Sequence, residues 1–351
     1  MKRFISVAAG VAVALTMTAG AANAATTATS TVTIDGQGSL YKQVKKPVNL
    51  TFTAKITPGA GATSLKPLME SKYHLPTDLA FVPSASMPPC TAVNEQNTSF
   101  PDTTARDLCK DSIIGDGTAK ILLAGALAAP INDPVLTIFA NGKASDGSGK
   151  LAIHAYSAST NQGIYMTGAI SKDGILDVAI PRLTADSATT DFTLNIPGQI
   201  GKDPTYAQAS CSTGKYTSNA DFTLGNRDAA GTVSNSETIT TDPVTTDCNG
   251  LAGKAQFASL KIKAPKKVKN GKKGVFKVTV KNKGTATSKK GTVKASGAGK
   301  GKASLPAIKP GASKTIKVKA KVKGKKGKKV TVKFKASGGA SASGKAKVKV
   351  G

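Results

Sequence analysis

Tryptophan is absent from this chain, histidine occurs only twice, and none of the four cysteines forms a C-x-x-C pair. Each shortage excludes a kind of chemistry. His74 and His154 have no second ligand at H-x-H or H-E-x-x-H spacing, so a histidine-built metal centre has nothing to stand on. Without C-x-x-C, neither a zinc ribbon nor a thioredoxin-like redox centre fits. No G-x-S-x-G, no phosphate-binding P-loop and no D-x-D-x-D-G calcium loop occurs. The acid pairs Asp107 with Asp111 and Asp242 with Asp247 read as solvated turn residues in polar loops. The residue pattern therefore nominates no catalytic residue, no cofactor site and no metal ligand.

The other shortages are regional. Residues 261–351 contain no acid and no arginine, but 30 lysines. Residues 25–260 hold 17 basic residues against all 20 acids. The formal charge of +29 thus belongs to one end of the chain. Such a step in composition marks a domain boundary, which falls in Gly250-Leu251-Ala252-Gly253. Two units follow: residues 25–252, close to neutral, and residues 256–351, strongly cationic.

What is present at the start is an export leader. Met1-Lys2-Arg3 is basic, Phe4 to Gly20 is uncharged and apolar or small, and Ala22-Asn23-Ala24 has the small-x-small form of a cleavage site. Residues 1–24 are expected to be removed as a signal peptide. The apolar run is short for a membrane span, and no later stretch approaches 18 apolar residues. Export suits the even cysteine count, since disulfides persist in oxidising compartments. Three pairings of Cys90, Cys109, Cys211 and Cys248 are possible. Loop-closure entropy favours Cys90 with Cys109 and Cys211 with Cys248, each worth about 2–4 kcal/mol.

The first unit reads as β-structure. Val48, Leu50 and Phe52 alternate with polar neighbours, as do Thr190, Phe192, Leu194 and Ile196. The run Val135 to Ala140 is apolar enough for a strand buried on both faces. Leu151, Ile153 and Ala155 share one face, with His154 and Tyr156 on the other. Asp146-Gly147 and Asp173-Gly174 sit where hairpins turn. Roughly ten short strands spaced by turn signals predict an irregular β-sandwich. Pro58 to Ser112 is expected to hold long loops. Ile121, Leu122, Leu123 and Leu127 fit a helix, a strand or a loop.

Several features of this unit occur together: KPVNLTFTAKI (46–56), the Pro-Pro-Cys ending at Cys90, C-x-x-x-x-x-G-x-G (109–117) and a closing Cys211/Cys248 pair. This arrangement resembles a module of secreted proteins from soil actinobacteria. The resemblance implies a location outside the cell and a β-rich fold.

The second unit is almost pure period-two alternation. Phe276, Val278 and Val280 alternate with Lys277, Thr279 and Lys281. Ile316, Val318, Ala320 and Val322 alternate with Lys317, Lys319, Lys321 and Lys323. Each such strand has one apolar and one cationic face. Asn270-Gly271 and Pro310-Gly311 read as turns. About seven strands in this length predict an immunoglobulin-like sandwich. FKVTVKNKGTATS (276–288) and SLPAIKPGASKTIKV (304–318) resemble the CARDB family, an immunoglobulin-like domain with a suggested link to bacterial cell adhesion. The pattern is carried by Phe276, Val278, Val280, Asn282, Gly284, Pro310 and Gly311. The lysine density departs from most members.

The overall expectation is an all-β, secreted, non-enzymatic protein of the cell envelope. Its lysine-rich domain would associate with an anionic wall polymer or surface, with Lys317, Lys319, Lys321 and Lys323 as a collective site. Nucleic acid is disfavoured, because bidentate base contacts need arginine and the only aromatics of the unit are Phe257, Phe276 and Phe334. Two alternatives remain: an inert, solubility-tuned spacer, or an envelope enzyme with an unrecognised site in residues 25–252. The enzyme reading requires a pocket with clustered ionisable groups.

Overall fold

The computed structural model describes residues 25–35, 40–82, 87–94, 100–128, 130–145, 147–171, 173–182, 187–200, 203–204 and 207–351. The leader expected at residues 1–24 and Asp146 of one hairpin signal lie outside them. The chain is β-structure nearly throughout, with one seven-residue α-helix, Asp102–Leu108, among the described residues.

Residues 27–247 build a 13-stranded sheet. Its main path runs Thr27–Asp35, Asn49–Thr57, Ala188–Ile196, Ile113–Leu122, Val135–Lys143, Gly149–Ser157, Gln162–Ile170, Ile175–Ala179, Leu68–His74, Lys215–Arg227 and Val233–Thr240. Every pairing along it is antiparallel. The expected double-sheet arrangement is realised by curling. The two ends of the path come together where Ser30 Oγ meets Thr241 Oγ1 at 2.8 Å, both buried. Thr241 also accepts a hydrogen bond from Ala220 N on Lys215–Arg227, at 2.9 Å. Opposite walls of one barrel-like sheet thus share one apolar core. In it Phe52, Tyr73, Phe192 and Phe222 meet edge-on, with ring centroids 5.3 to 6.3 Å apart.

Alternation placed the strands well. Leu50, Phe52, Leu151, Ile153, Leu194 and Ile196 are all buried. Within Val135–Lys143, residues Leu136 to Ala140 are buried on both faces. Leu136, Ile138 and Ala140 join the main core, and Phe139 joins a second cluster on the outside. That outer cluster contains Cys90, Val93, Ala105, Cys109, Ala152 and Tyr165, so the helix and its disulfide cover this part of the sheet.

Pro58 to Ser112 holds long loops, as expected, and also supplies Leu68–His74, an interior strand between Ile175–Ala179 and Lys215–Arg227. Its register shifts beside Leu68, so Leu68, Ser71 and Tyr73 are the buried residues and no clean period of two appears. The acid pairs do not all lie in loops. Asp107 is helical, Asp111 sits in the 3-10 turn Lys110–Ser112, and Asp247 ends strand Val244–Asp247. All four acids are exposed, as expected of solvated residues. The ambiguous apolar stretch resolves into the end of strand Ile113–Leu122 and the 3-10 turn Leu123–Gly125.

The glycines of the C-x-x-x-x-x-G-x-G motif have a steric reason. A Cβ at Gly115 or Gly117 would run into the carbonyl oxygens of Asn195 and Thr193 on the neighbouring strand. Only glycine permits that approach.

The lysine-rich unit is an eight-stranded path: Lys261–Lys263, Lys273–Lys281, Ser313–Val322, Gly299–Leu305, Gly291–Gly297, Lys329–Ser337, Ser341–Val350 and Lys267–Val268. The eighth strand beyond the expected seven is a two-residue parallel pairing. Gly299–Leu305 pairs on both sides and links the two layers of the sandwich. Phe276, Val278, Val280, Val318, Ala320, Val322, Val332 and Phe334 are all at most 1% exposed, and the Phe276 and Phe334 rings lie 5.1 Å apart. No cysteine contributes, so apolar packing holds this unit. At one end Asn282 is completely buried and uses its whole amide. Its Nδ2 donates to Ala286 O at 2.8 Å and Ile308 O at 2.9 Å. Its Oδ1 accepts from Gln256 N at 3.1 Å and Gly284 N at 2.9 Å.

Candidate polyanion-binding surface

Because strands alternate, burying Val318, Ala320 and Val322 forces Lys317, Lys319, Lys321 and Lys323 outward, and all four are exposed. Lysines two residues apart on one strand stand about 7 Å from each other. Strand register then decides what lies beside them. Lys317 is opposite Lys277, which is opposite Lys263 on the next strand. Lys321 is opposite Lys273 on one side and Lys300 on the other. Two ladders of three lysines therefore cross three strands each. Between them Lys319 faces Val275, an apolar side chain 44% exposed amid the cations. Thr279 and Thr315 close the row with a 2.9 Å hydroxyl contact.

The opposite layer repeats the arrangement. Lys294 is opposite Lys302 and Lys335, Lys333 is opposite Lys345, and Lys349 is opposite Lys329 and Lys267. The lysines of the sequence reading are thus the central row of one cationic face, and the opposite layer carries a second. Reading strands singly missed the ladders, since pairing partners are not visible in one strand's alternation. Facing side chains are about 5 Å apart at Cβ and the Debye length at physiological salt is about 8 Å, so their fields add.

Ion pairing is confined to the first unit. Among the described residues, Lys66–Glu237, Lys72–Glu70, Lys72–Asp177, His74–Asp221 and Arg106–Asp102 are joined. His74 Nε2 lies 2.8 Å from Asp221 Oδ2 on the adjacent strand, where Thr240 Oγ1 also donates to Asp221. Burial raises the Asp221 carboxyl, but these hydrogen bonds outweigh it and hold the group below its usual value. His154 is fully buried in strand Gly149–Ser157, opposite Thr137. Among the described residues, no group of three or more His, Cys, Asp or Glu could hold a metal ion.

Both disulfides of the expected pairing form. Cys90–Cys109 has a Cα separation of 5.4 Å and Cys211–Cys248 of 6.0 Å. The cavity inside the first unit, about 100 Å³, is lined by apolar, hydroxyl and amide side chains without Asp, Glu, His, Lys, Arg or Cys. A second pocket of the same unit, about 180 Å³ beside the Cys90–Cys109 bridge, is lined by the ionisable side chains Asp107, Lys110 and Asp111.

The two-layered, cysteine-free sandwich with its outward lysines is of the immunoglobulin-like class. Residues 258–343 match the family model for CARDB, a non-catalytic immunoglobulin-like domain family. The match begins beside the buried Phe257 and includes Asn282, Gly284, Pro310 and Gly311 of the resembling motif. No curated protein matches the chain.

Proposed function

We propose that the chain is an exported, non-enzymatic envelope protein whose lysine-rich domain holds it against an extended anionic polymer. The two disulfides and the adhesion-type domain support the location. No helix among the described residues is long and apolar enough to cross a membrane.

The observation that carries the reading is the opposition of like charges across neighbouring strands. Lys263–Lys277–Lys317 and Lys273–Lys321–Lys300 are ladders without one acid among them. Like charges directly opposite on a sheet are destabilising, and solubility is served as well by mixed signs. A polymer carrying regularly spaced phosphates or carboxylates converts this repulsion into attraction and releases the condensed counterions. The burial of Phe257, Phe276 and Phe334 leaves the domain without an aromatic surface on which bases stack, which disfavours nucleic acid.

One observation favours the alternative, solubility alone. The outer strands of the path, Lys261–Lys263 and Lys267–Val268, are very short and bear lysine, a usual protection against edge-to-edge aggregation.

The deciding experiment titrates the protein with long-chain polyphosphate and with polygalacturonate over a range of salt. Two charge-matched variants are compared: Lys263→Gln/Lys277→Gln/Lys317→Gln in one ladder, and Lys283→Gln/Lys289→Gln/Lys290→Gln outside the ladders. Six contacts give a slope of log K against log salt of about −4 by the single-strand coefficient. The ladder variant is expected to lose more affinity than its control. Equal losses would show that net charge alone matters. No binding of either polymer at low salt would leave the lysines as a solubility device.

A further inference from the structure

We propose that the cavity inside the N-terminal barrel is a binding site for the end of an alkyl chain carried on an uncharged headgroup. This site is independent of the lysine surface and lies in the other unit.

The cavity exists because the sheet encloses more space than its side chains fill. The cluster around Tyr73 and Phe222 packs one part of the interior. Beyond it, Ile153, Ile164, Met166 and Leu176 point inward from three successive strands and leave about 100 Å³ open. Protein interiors hold few voids of this size, and one walled by aliphatic groups stays dry rather than taking up water. An apolar cavity of about 150 Å³ admits benzene. This smaller volume suits the last few carbons of a chain better than a ring.

The cavity has buried and exposed lining residues. Ile153, Met166 and Leu176 at its inner wall are 2%, 7% and 1% exposed. Leu123 at the rim is 39% exposed, and Gln162 is also exposed. Leu123 is presented by the 3-10 turn Leu123–Gly125, whose Ala124 and Gly125 have φ of 48° and 70°. Non-glycine residues seldom adopt such a conformation. The turn is fixed by the hydrogen bond from Leu65 N to Gly125 O, 2.9 Å. An apolar side chain therefore stands at the exposed side of an otherwise largely apolar cavity.

The rim also selects the headgroup. Thr160, Gln162 and Thr189 offer hydroxyls and an amide, and no lysine or arginine lines the cavity. In the wall, the buried Ser157 Oγ donates to the Asp133 carboxylate at 2.8 Å, so a negative charge stands one residue behind the lining. A free carboxylate or phosphate would meet repulsion and find no cation. An alcohol, ester or amide can use the neutral groups.

The test follows methionine methyl resonances. Of the described methionines Met69, Met87 and Met166, Met166 alone lines the cavity. 1-Octanol is expected to shift Met166 saturably and to leave Met69 and Met87 in place. Octanoate at neutral pH should bind about tenfold more weakly or worse, a difference of roughly 1.4 kcal/mol. Ala119→Leu, on the partly exposed wall, should weaken 1-octanol by at least about tenfold, with unmoved Met69 and Met87 signals showing that the fold is kept. As a check that needs no variant, saturating 1-octanol should raise the denaturation midpoint of the parent protein. A Met166 signal unmoved up to the solubility limit of 1-octanol would overturn the site, as would parallel, non-saturating shifts of all three methionines. Octanoate binding as tightly as 1-octanol would overturn the headgroup assignment.

Discussion

Replacing Asn282 tests the physical account of the lysine-rich domain most directly. Its amide is 0% exposed and makes four hydrogen bonds, two donated and two accepted. A net hydrogen bond is worth about 1 kcal/mol, and a buried group left without a partner costs about 1–3 kcal/mol. Ile308 O receives its bond in a buried position that water does not reach easily. Asn282→Ala should therefore cost about 3–5 kcal/mol, a large part of the total stability of a single domain. For a domain of this size that is a fall in melting temperature of about 15–25 °C. Asn282→Asp separates hydrogen bonding from shape. The aspartate keeps the acceptor that serves Gln256 and Gly284, but turns its second oxygen toward two carbonyls. At neutral pH it should be at least as damaging as alanine, and it should recover partly as acid protonates it. Calorimetry of the intact protein reads both, with the transition of the first unit as internal control. An alanine variant melting within about 5 °C of the parent would refute the reasoning. An aspartate variant clearly more stable than alanine at neutral pH would do the same.

Three further outcomes are expected. Raising simple salt should raise the melting temperature of the lysine-rich domain, because screening relieves the lysines opposed across strands. A melting temperature falling with salt would show that the ladders do not strain the fold. Alkali should unfold the first unit. Burial raises the phenol of Tyr73 and pushes Tyr216 from its ordinary value up to about 12, and Tyr216 Oη donates to Ser210 O at 2.6 Å. Such phenols keep their protons in the native state while the unfolded chain loses them, so stability is intact below about pH 10 and drains away as pH rises toward 12. Phenolate absorbance from these tyrosines should appear with unfolding and not before it. Finally, Cys211→Ser/Cys248→Ser opens a bridge of sequence separation 37, worth about 3–4 kcal/mol by loop entropy. It should lower the melting temperature of the first unit and leave that of the lysine-rich domain unchanged.

Legibility differed between the two halves for a physical reason. In residues 256–351 the strands, all antiparallel but for the short Lys267–Val268, are covered on one face and regularly alternating. Phe276, Val278, Val318 and Phe334 could be assigned to the core from spacing alone. In the first unit Leu68–His74 was hidden because a register shift breaks its period and its apolar residues are few. Strand Val233–Thr240 was hidden because it is polar and mostly exposed on both faces.

By itself, the sequence determined the β class, the concentration of charge, the favoured cysteine pairing and the outward row Lys317, Lys319, Lys321 and Lys323. Each follows from local chemistry: alternation, composition and the entropy of short loops. Tertiary structure alone decided which lysines stand opposite one another, because register depends on how separate strands dock. It also decided that Ile153, Ile164, Met166 and Leu176 surround one space, because a cavity is what remains when strands distant in sequence fail to fill the volume they enclose.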